Sequence, residues 1–331
     1  MRNPKFFLVI AAAGLLFIAV SARAGEGAAK KVTFMTPWVP QAQFAGYYVA
    51  QERGLYRNHG IDLEIVPGGP DRSAVDFLKG GQTDFAGLWL STALQQRAKG
   101  FRLINLGQIV QKSALMLVAK KAGGIRTAAD LQAKRIGLWG GDFAIQPHAF
   151  FKKNNLRVQI VPQSLTLNLF LRDGVDVASA MWYNEYHTII NSGINPDELT
   201  TFFFQDYGLN FPEDGIYAGE EYYRADPALA CNFVQASVAG WLYAFSHPEE
   251  AVDIVLKRMS SAHLPANRPH QQWMLARMKD LVAPAGGTAP PGVLRRTDYE
   301  AVAGTLKAAG FIVAIPAYEE FSANCVSHGD N

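Results

Sequence analysis

Aromatic and amide side chains occur together where a predicted strand ends and a predicted helix begins. The stretch PWVPQAQFAGYYVAQERGLY follows the apolar run KVTFM and contains Trp38, Gln41 and Gln43, with Tyr47 one helical turn further on. A ring can stack on the flat face of an indole, and offset stacking adds about 0.5–1.5 kcal/mol beyond area burial. The amides beside it can hydrogen-bond ring nitrogens and exocyclic amines. This junction therefore predicts part of a slot for a flat heterocycle.

Three later junctions have a similar composition, and four of the six tryptophans lie at such positions. Each tryptophan alone could equally be a core or rim residue, and the two glutamines could serve loop backbone. A carboxylate such as Glu185 is also favoured at a helix start by the helix dipole. Taken together, the junctions favour a ligand cleft. The further predicted ligand-binding residues are Trp89, Ser91, Trp139, Trp182, Tyr183, Asn184 and Glu185.

Motifs that would indicate catalysis or a metal site are missing from the sequence. It has no GxSxG, no HExxH and no cysteine beside a histidine, and the seven histidines are scattered. The glycine turns PGGPDRS and GLWGGD match neither GxGxxG nor a P-loop. We therefore predict no catalytic residue, no cofactor and no metal; among the histidines, only His187, shortly after the YNE segment, has a functional context.

Strand-like and helical patterns alternate through the first two thirds of the chain, and the pattern becomes helical from Pro227 onward. Alternation of this kind predicts βαβ units and mostly parallel sheets. We expect a two-lobed α/β fold with the last helices packed on the first lobe. The predicted bounds are 31–116 and 217–331 for lobe 1 and 117–216 for lobe 2. Ligands of such sheets bind beyond the carboxyl ends of the strands, here between the lobes.

The N-terminus has the pattern of an export signal. Arg2 and Lys5 precede the apolar run FFLVIAAAGLLFIAV, and Ala22-Arg23-Ala24 gives a small-x-small site, so residues 1–24 are predicted as a signal peptide cleaved after Ala24. The alternative is an uncut membrane anchor. No second apolar run reaches spanning length in this reading, which predicts a soluble periplasmic protein.

Composition restricts the partners. The chain has 331 residues, of which 49% are hydrophobic and 18% charged, as expected of a protein that buries a core. Cleavage after Ala24 changes the formal charge from +2 to about −1. The sequence has no basic face interleaved with aromatic residues, so nothing in it indicates nucleic-acid binding. The two cysteines, Cys231 and Cys325, could form a disulfide in an oxidising compartment or remain buried thiols.

Several blocks resemble the thiamine-pyrimidine-precursor and sulfonate/nitrate group of type II periplasmic binding proteins. They are WVPQAQFAGYYVAQERGLYRNHGIDLEIVPGGPD, LKGGQTDFAG, TAADLQAKRIGLWGG and AMWYNE. The resemblance implies a monomeric receptor that closes two lobes on a small heterocyclic ligand and delivers it to an ABC permease with its ATPase subunit. By position, it implies ligand contacts from Trp38, Gln43, Tyr183, Asn184 and Glu185.

Sequence differences from this group leave the identity of the ligand open. Pyrimidine-precursor receptors commonly have Asn and His where this chain has QAQF, a version similar to that of flavin-type receptors. A thiamine pyrimidine precursor is the leading expectation, a riboflavin-like ring the next, and a taurine- or nitrate-type anion a weaker alternative. The related thiamine-pyrimidine synthase uses a lysine bearing pyridoxal phosphate and a histidine. Alignment places Leu88 and Thr92 at those positions, so we predict that the chain is not an enzyme.

Overall fold

The computed structural model describes residues 29–286 and 290–326. The predicted signal peptide lies outside the described residues, and cleavage after Ala24 stays a prediction. The strands are β1 (Lys30–Met35), β2 (Ile61–Val66), β3 (Phe85–Trp89), β4 (Leu103–Gln108), β5 (Leu115–Lys120), β6 (Arg135–Leu138), β7 (Gln159–Pro162), β8 (Val177–Met181), β9 (Leu199–Phe203) and β10 (Asp214–Gly219). The helices are α1 (Ala45–Glu52), α2 (Leu55–Asn58), α3 (Ala74–Lys79), α4 (Leu90–Ala98), α5 (Ile145–Lys153), α6 (Asn168–Leu171), α7 (Glu185–Asn191), α8 (Glu220–Ala225), α9 (Pro227–Ser246), α10 (Pro248–Ser261), α11 (Arg268–Val282), α12 (Arg296–Ala308) and α13 (Tyr318–Phe321).

The strands form two five-stranded sheets of the same design. The first has the order β2-β1-β3-β10-β4, and the second has the order β7-β6-β8-β5-β9. In each sheet the first three strands are parallel, and the fourth runs antiparallel to both of its neighbours. We call the first sheet with its helices lobe 1 and the second sheet with its helices lobe 2. The antiparallel strand is the one that has just crossed from the other lobe, which explains why it enters its sheet in reverse.

The two chain segments that cross between the lobes change the lobe limits that the sequence predicts. The predicted limits at 116/117 and 216/217 fall inside β5 and β10, and the structure keeps each strand whole, β5 in lobe 2 and β10 in lobe 1. In the segment GIYAGEEYY, β10 ends at Gly219. From Glu220 the chain is helical, with two acidic residues in the first turn of α8, where the helix dipole favours them.

A buried carboxyl group holds the two crossing segments together. Glu213 Oε1 accepts hydrogen bonds from the backbone N–H of Ala114 at 2.6 Å and from the Ser113 hydroxyl at 3.1 Å. Burial, followed by the nearby charge of Asp214, raises the pKa of Glu213 to about 8. The return crossing is thus fixed to the outgoing one at the point where the two lobes meet.

The C-terminal helices pack on lobe 1. A Cβ on Gly240 of α9 would lie 2.2 Å from the Gly46 carbonyl oxygen of α1, so the close approach of these helices requires glycine there. By length and composition α9 could span a membrane, and the sequence analysis did not identify it as such a helix. Half of it is buried in the lobe. A disulfide joins Cys231 of α9 to Cys325 and ties the end of the described chain to the same lobe.

Candidate functional site

A pocket of about 290 Å³ lies between the two lobes. Its walls come from residues at or shortly after the ends of β1 and β3 in lobe 1 and of β6, β7 and β8 in lobe 2. These are the carboxyl ends of parallel strands, where open α/β sheets bind their ligands. The lining residues are Pro37, Trp38, Gln41, Gln43, Trp89, Trp139, Gly140, Phe143, Leu165, Met181, Tyr183, Asn184 and Glu185.

The lobe 1 wall is held by hydrogen bonds within the turn after β1. The Thr36 hydroxyl donates to the Trp38 carbonyl oxygen at 2.8 Å. The Gln41 amide nitrogen donates to Gln43 Oε1 at 2.6 Å, and the Gln43 amide nitrogen donates to the buried carboxylate of Asp214 at 2.8 Å. The two glutamines are therefore parts of one chain of hydrogen bonds and have fixed positions before any ligand arrives.

The lobe 2 wall presents a carboxylate at the start of α7. Glu185 Oε2 accepts from the backbone N–H of Met181 at 3.0 Å, and Oε1 accepts from the Asn184 amide at 2.9 Å. Burial raises the pKa of Glu185, although the hydrogen bond from Met181 lowers it. Burial also raises the pKa of Tyr183, with further contributions from Glu213 and Asp214, so this phenol stays protonated.

Aromatic rings form the other end of the pocket. Phe143 makes edge contacts with Trp89 of lobe 1 at 4.7 Å and with Trp139 of lobe 2 at 5.6 Å between ring centroids. The Trp139 indole N–H donates to the Ser164 carbonyl oxygen at 3.1 Å and fixes that ring. Leu165 lies at the pocket mouth with 64% of its surface exposed. The pocket therefore combines apolar faces at one end with hydrogen-bonding groups at the other.

The structure brings together eight of the eleven residues that the sequence predicts for the site and places three elsewhere. Tyr47 is buried within lobe 1 between Phe34 and Trp241. Ser91 is buried in α4, with its carbonyl oxygen accepting from the Gln95 amide. The eight that line the pocket are Trp38, Gln41, Gln43, Trp89, Trp139, Tyr183, Asn184 and Glu185.

Trp182 lies outside the pocket, in the turn between β8 and α7. Its neighbours Met181, the last residue of β8, and Tyr183 both line the pocket. The Trp182 ring instead packs against Phe203 at 5.5 Å and under the Arg277 guanidinium at 4.7 Å. These contacts are made with residues distant in the chain, so no local sequence pattern indicates them.

The sequence reading missed Phe143, Leu165 and Asp214. Phe143 and Leu165 have no local pattern that separates them from ordinary apolar loop residues. Asp214 is 171 positions from Gln43 along the chain, and only the insertion of β10 beside β3 brings the two together. Within residues 29–286 and 290–326, no group of three or more His, Cys, Asp and Glu residues is arranged to hold a metal ion.

The lobes touch each other on two sides of the pocket. In one contact, which we call the carboxylate contact, Asp142 of lobe 2 accepts from the Thr92 hydroxyl and, at 2.9 Å, from the Gln95 amide of α4. In the other, the histidine contact, His270 of α11 lies 2.8 Å from His187 of α7, measured between Nδ1 atoms, and 2.9 Å from Asn184 Oδ1.

Burial accounts for the protonation behaviour of the histidine contact. It lowers the pKa of His187, and it lowers the pKa of His270 together with the repulsion from His187. With both rings neutral, the two Nδ1 atoms can share one hydrogen while His270 Nε2–H donates to Asn184. His187 also stacks on Trp273 at 4.9 Å, and the Trp273 indole N–H donates to the Trp182 carbonyl oxygen.

Comparison with known proteins gives one family match and several distant relatives. A family profile described as "NMT1/THI5 like" matches residues 41–251. The riboflavin-binding protein RibY of Chloroflexus aurantiacus is 25% identical over 245 residues, which cover 71% of this chain and 68% of that protein. A formylaminopyrimidine-binding protein of Halalkalibacterium halodurans is 21% identical over 305 residues, covering 87% of this chain and 90% of that protein.

An enzyme is also among the relatives. The 4-amino-5-hydroxymethyl-2-methylpyrimidine phosphate synthase of Schizosaccharomyces pombe is 26% identical over 151 residues, 46% of this chain and 42% of that protein. Among solved structures, the periplasmic aliphatic sulphonate binding protein SsuA of Escherichia coli superposes with a TM-score of 0.66 at 15% identity, covering 88% of this chain and 91% of that one. This likeness confirms the predicted two-lobed binding-protein fold.

Proposed function

Because the chain belongs to the NMT1/THI5-like family, we propose that it is the solute receptor of an ATP-driven importer and that it binds a flat heterocycle. The ligand we favour is a pyrimidine precursor of thiamine, and a riboflavin-like ring is the second candidate. The receptor carries out no chemical step. Two relatives named for binding a formylaminopyrimidine and riboflavin support this ligand class.

The observation that carries the proposal is the composition of the pocket. Three tryptophans and one phenylalanine line it together with the acceptor groups of Glu185 and Gln41. Among the described residues that line it there is no lysine, arginine or histidine. A sulfonate or nitrate is recognised by cationic or multiple N–H donors. A carboxylate beside indoles instead favours a neutral or cationic ring with its own N–H groups.

The size of the pocket ranks the two heterocycles. About 290 Å³ is just below the usual range of small-molecule sites, about 300–1,000 Å³. This supports a single ring ahead of an isoalloxazine with a sugar chain. Riboflavin stays as the second candidate because of the relative named for it and because Leu165 and Phe143 at the pocket mouth could cover a longer ligand.

The synthase alternative fits the pocket poorly. The position aligned with the enzyme's lysine is Leu88, which is buried in β3, and Thr92 donates to Asp142 across the lobes. No described residue that lines the pocket could form a Schiff base with pyridoxal phosphate. Addition of that cofactor to the purified protein is therefore expected to give no Schiff-base absorbance band.

Ligand binding would act by population shift between open and closed lobes. A ligand that touches both walls binds the closed form better and raises its population. The closed form would then dock on a membrane permease. Export to the periplasm suits this role, and so does the disulfide between Cys231 and Cys325, since such bonds persist in oxidising compartments.

A thermal-shift screen of the mature chain tests the proposal. The compounds are thiamine, 4-amino-5-hydroxymethyl-2-methylpyrimidine, formylaminopyrimidine, riboflavin, taurine and nitrate. A ligand at about 100 times its Kd adds about 2.7 kcal/mol to the stability, which is an easily measured rise in Tm. A rise with a pyrimidine or with riboflavin supports the receptor and identifies its ligand. A rise with taurine or nitrate alone would contradict it.

A further inference from the structure

A buried carboxylate lies directly behind the polar end of the pocket. Asp214 is 4% exposed and does not itself line the pocket, but its Oδ2 accepts from the Gln43 amide, and Gln43 in turn accepts from Gln41. The second oxygen, Oδ1, is buried without a hydrogen-bond partner among the described residues. We call Asp214, Gln43 and Gln41 the amide relay.

An ionised carboxylate fixes the direction of the amide relay. A carboxylate only accepts hydrogen bonds, whereas an amide has a donating and an accepting end. Gln43 must therefore turn its NH₂ group to Asp214 and its oxygen to Gln41. Gln41 must in turn use its NH₂ group for Gln43, which leaves its Oε1 and one N–H for a ligand. The Gln41 oxygen and the Glu185 carboxylate on the opposite wall then both offer acceptors to a ligand.

We propose that Asp214 is a positioning residue that sets the ligand selectivity of this receptor. It holds the amide relay in the direction that favours rings bearing an amino group over rings bearing a carbonyl at the same position. The proposal rests on the receptor function proposed above and names a determinant within it. Reversing the relay would replace the Gln41 oxygen with its NH₂ group as the outward end, so an acceptor would become a donor.

The surroundings of Asp214 keep the relay sensitive to its protonation. The titratable groups that face it are Glu213, Tyr47, Tyr183 and Tyr217, and none of them is a cation. Burial raises the pKa of Asp214 to about 6, while the hydrogen bond from Gln43 and the nearby Trp89 indole lower it. Above that pH the carboxylate orients the relay. Below it, a protonated Asp214 can donate to Gln43 Oε1 and allow the reverse direction.

Asp214→Asn tests the proposal because it keeps the shape and removes the obligatory acceptor. Kd is measured by calorimetry at pH 7.5 for 4-amino-5-hydroxymethyl-2-methylpyrimidine and for its 4-oxo analogue. We expect the wild type to prefer the amino compound and the variant to lose that preference by about tenfold, as for an unmatched buried polar group. Gln43→Met removes the amide that donates to Asp214, and it replaces Asp214→Asn in the test if that variant folds poorly.

Asp84→Asn is the matched control. Asp84 is a carboxylate of the same lobe that accepts from the Thr33 N–H and hydroxyl, outside the pocket lining. Its substitution should leave the ratio of the two Kd values unchanged. If the wild type prefers the amino compound and Asp214→Asn keeps the same ratio, the relay is wrong and the receptor function stands. If the wild type binds neither compound, this selectivity and the favoured pyrimidine ligand both fail.

A ligand-free measurement separates the two proposals completely. The side-chain amide signals of Gln43 are followed by NMR between pH 5 and 8. In the wild type they should shift with a midpoint near the pKa of Asp214, about 6, and in Asp214→Asn this transition should disappear. Amide signals that titrate identically in both proteins would overturn the relay whatever the ligand is.

Discussion

The two contacts that join the lobes on either side of the pocket differ in chemistry. The carboxylate contact uses Asp142 with a hydroxyl and an amide, and neither donor titrates near neutral pH. The histidine contact uses two imidazoles whose pKa values are lowered by burial. Both contacts hold the lobes together, but the histidine contact is the one built from imidazoles, the side chains whose ordinary pKa is closest to neutral pH.

The contacts also differ in what they connect to. His270 donates to Asn184, and the Asn184 amide donates to Glu185, which faces the ligand. Asp142 precedes Phe143, whose ring takes part in the pocket only through apolar contacts. Closure and ligand recognition therefore share one chain of hydrogen bonds on the histidine side. On the other side they are separate, and this asymmetry can be tested by substitution.

The largest effect is expected at the pocket itself. Glu185→Ala removes the carboxylate at the end of the histidine chain, and Trp38→Ala removes a stacking face of lobe 1. Each should weaken ligand binding at least about tenfold, or about 1.4 kcal/mol, measured by calorimetry at pH 7.5. Leu242→Ala, an exposed position of α9, is a control that should bind normally. Unchanged affinity in both pocket variants would remove this site from the proposal.

The strand-end residues of the site could be predicted from the sequence because local patterns place them. Trp38, Trp139 and Glu185 each follow an apolar run and precede a helical pattern, and the carboxyl ends of parallel strands converge in α/β folds. The same reasoning gave two lobes with the last helices on the first. It did not anticipate that the Trp182 ring packs against Phe203 and the Arg277 guanidinium instead of lining the pocket.

The hydrogen-bond partners behind the pocket could not be predicted in this way. His270 is 83 residues from His187 in the chain, and it looks like any isolated histidine of a helix. Asp214 reaches Gln43 only because β10 returns from lobe 2 into the first sheet. Such pairs depend on which strands and helices become neighbours, and one sequence carries no pattern that reports it.

The second largest effect is expected from breaking the histidine contact. His270→Ala removes hydrogen bonds to Asn184 and His187, and the loss of about 1 kcal/mol corresponds to about fivefold weaker binding at pH 7.5. His270→Gln can still donate to Asn184 and should recover most of the affinity. If His270→Ala and His270→Gln weaken binding equally, the hydrogen bond from His270 to Asn184 has no effect on ligand binding through Glu185.

The pH dependence distinguishes the contacts further. Burial where the lobes touch lowers the pKa values of His187 and His270, so a form with the lobes separated takes up protons more readily. The contribution of this contact to closure is present above about pH 6.5, the ordinary histidine pKa, and decreases as the pH falls below it. Affinity should therefore fall from pH 7.5 to 5.5, in the same direction as the protonation of Asp214. His270→Gln should reduce the fall and Asp142→Asn should not; equal profiles in the two variants would contradict this assignment.

The smallest effect is expected from the carboxylate contact. Asp142→Asn keeps one carbonyl oxygen for Gln95 and replaces the other acceptor with an NH₂ group, from which the Thr92 hydroxyl can accept, so about 0.5 kcal/mol, less than threefold in Kd, should be lost at pH 7.5. Thr92→Val removes one donor of the same contact without touching the pocket lining and should give a similar loss. Because this side has no hydrogen-bonded path to Glu185, both variants should weaken all ligands alike and leave the ratio of amino to oxo compounds unchanged. A change in that ratio would show that recognition reaches the carboxylate side as well, and the asymmetry between the two contacts would then be wrong.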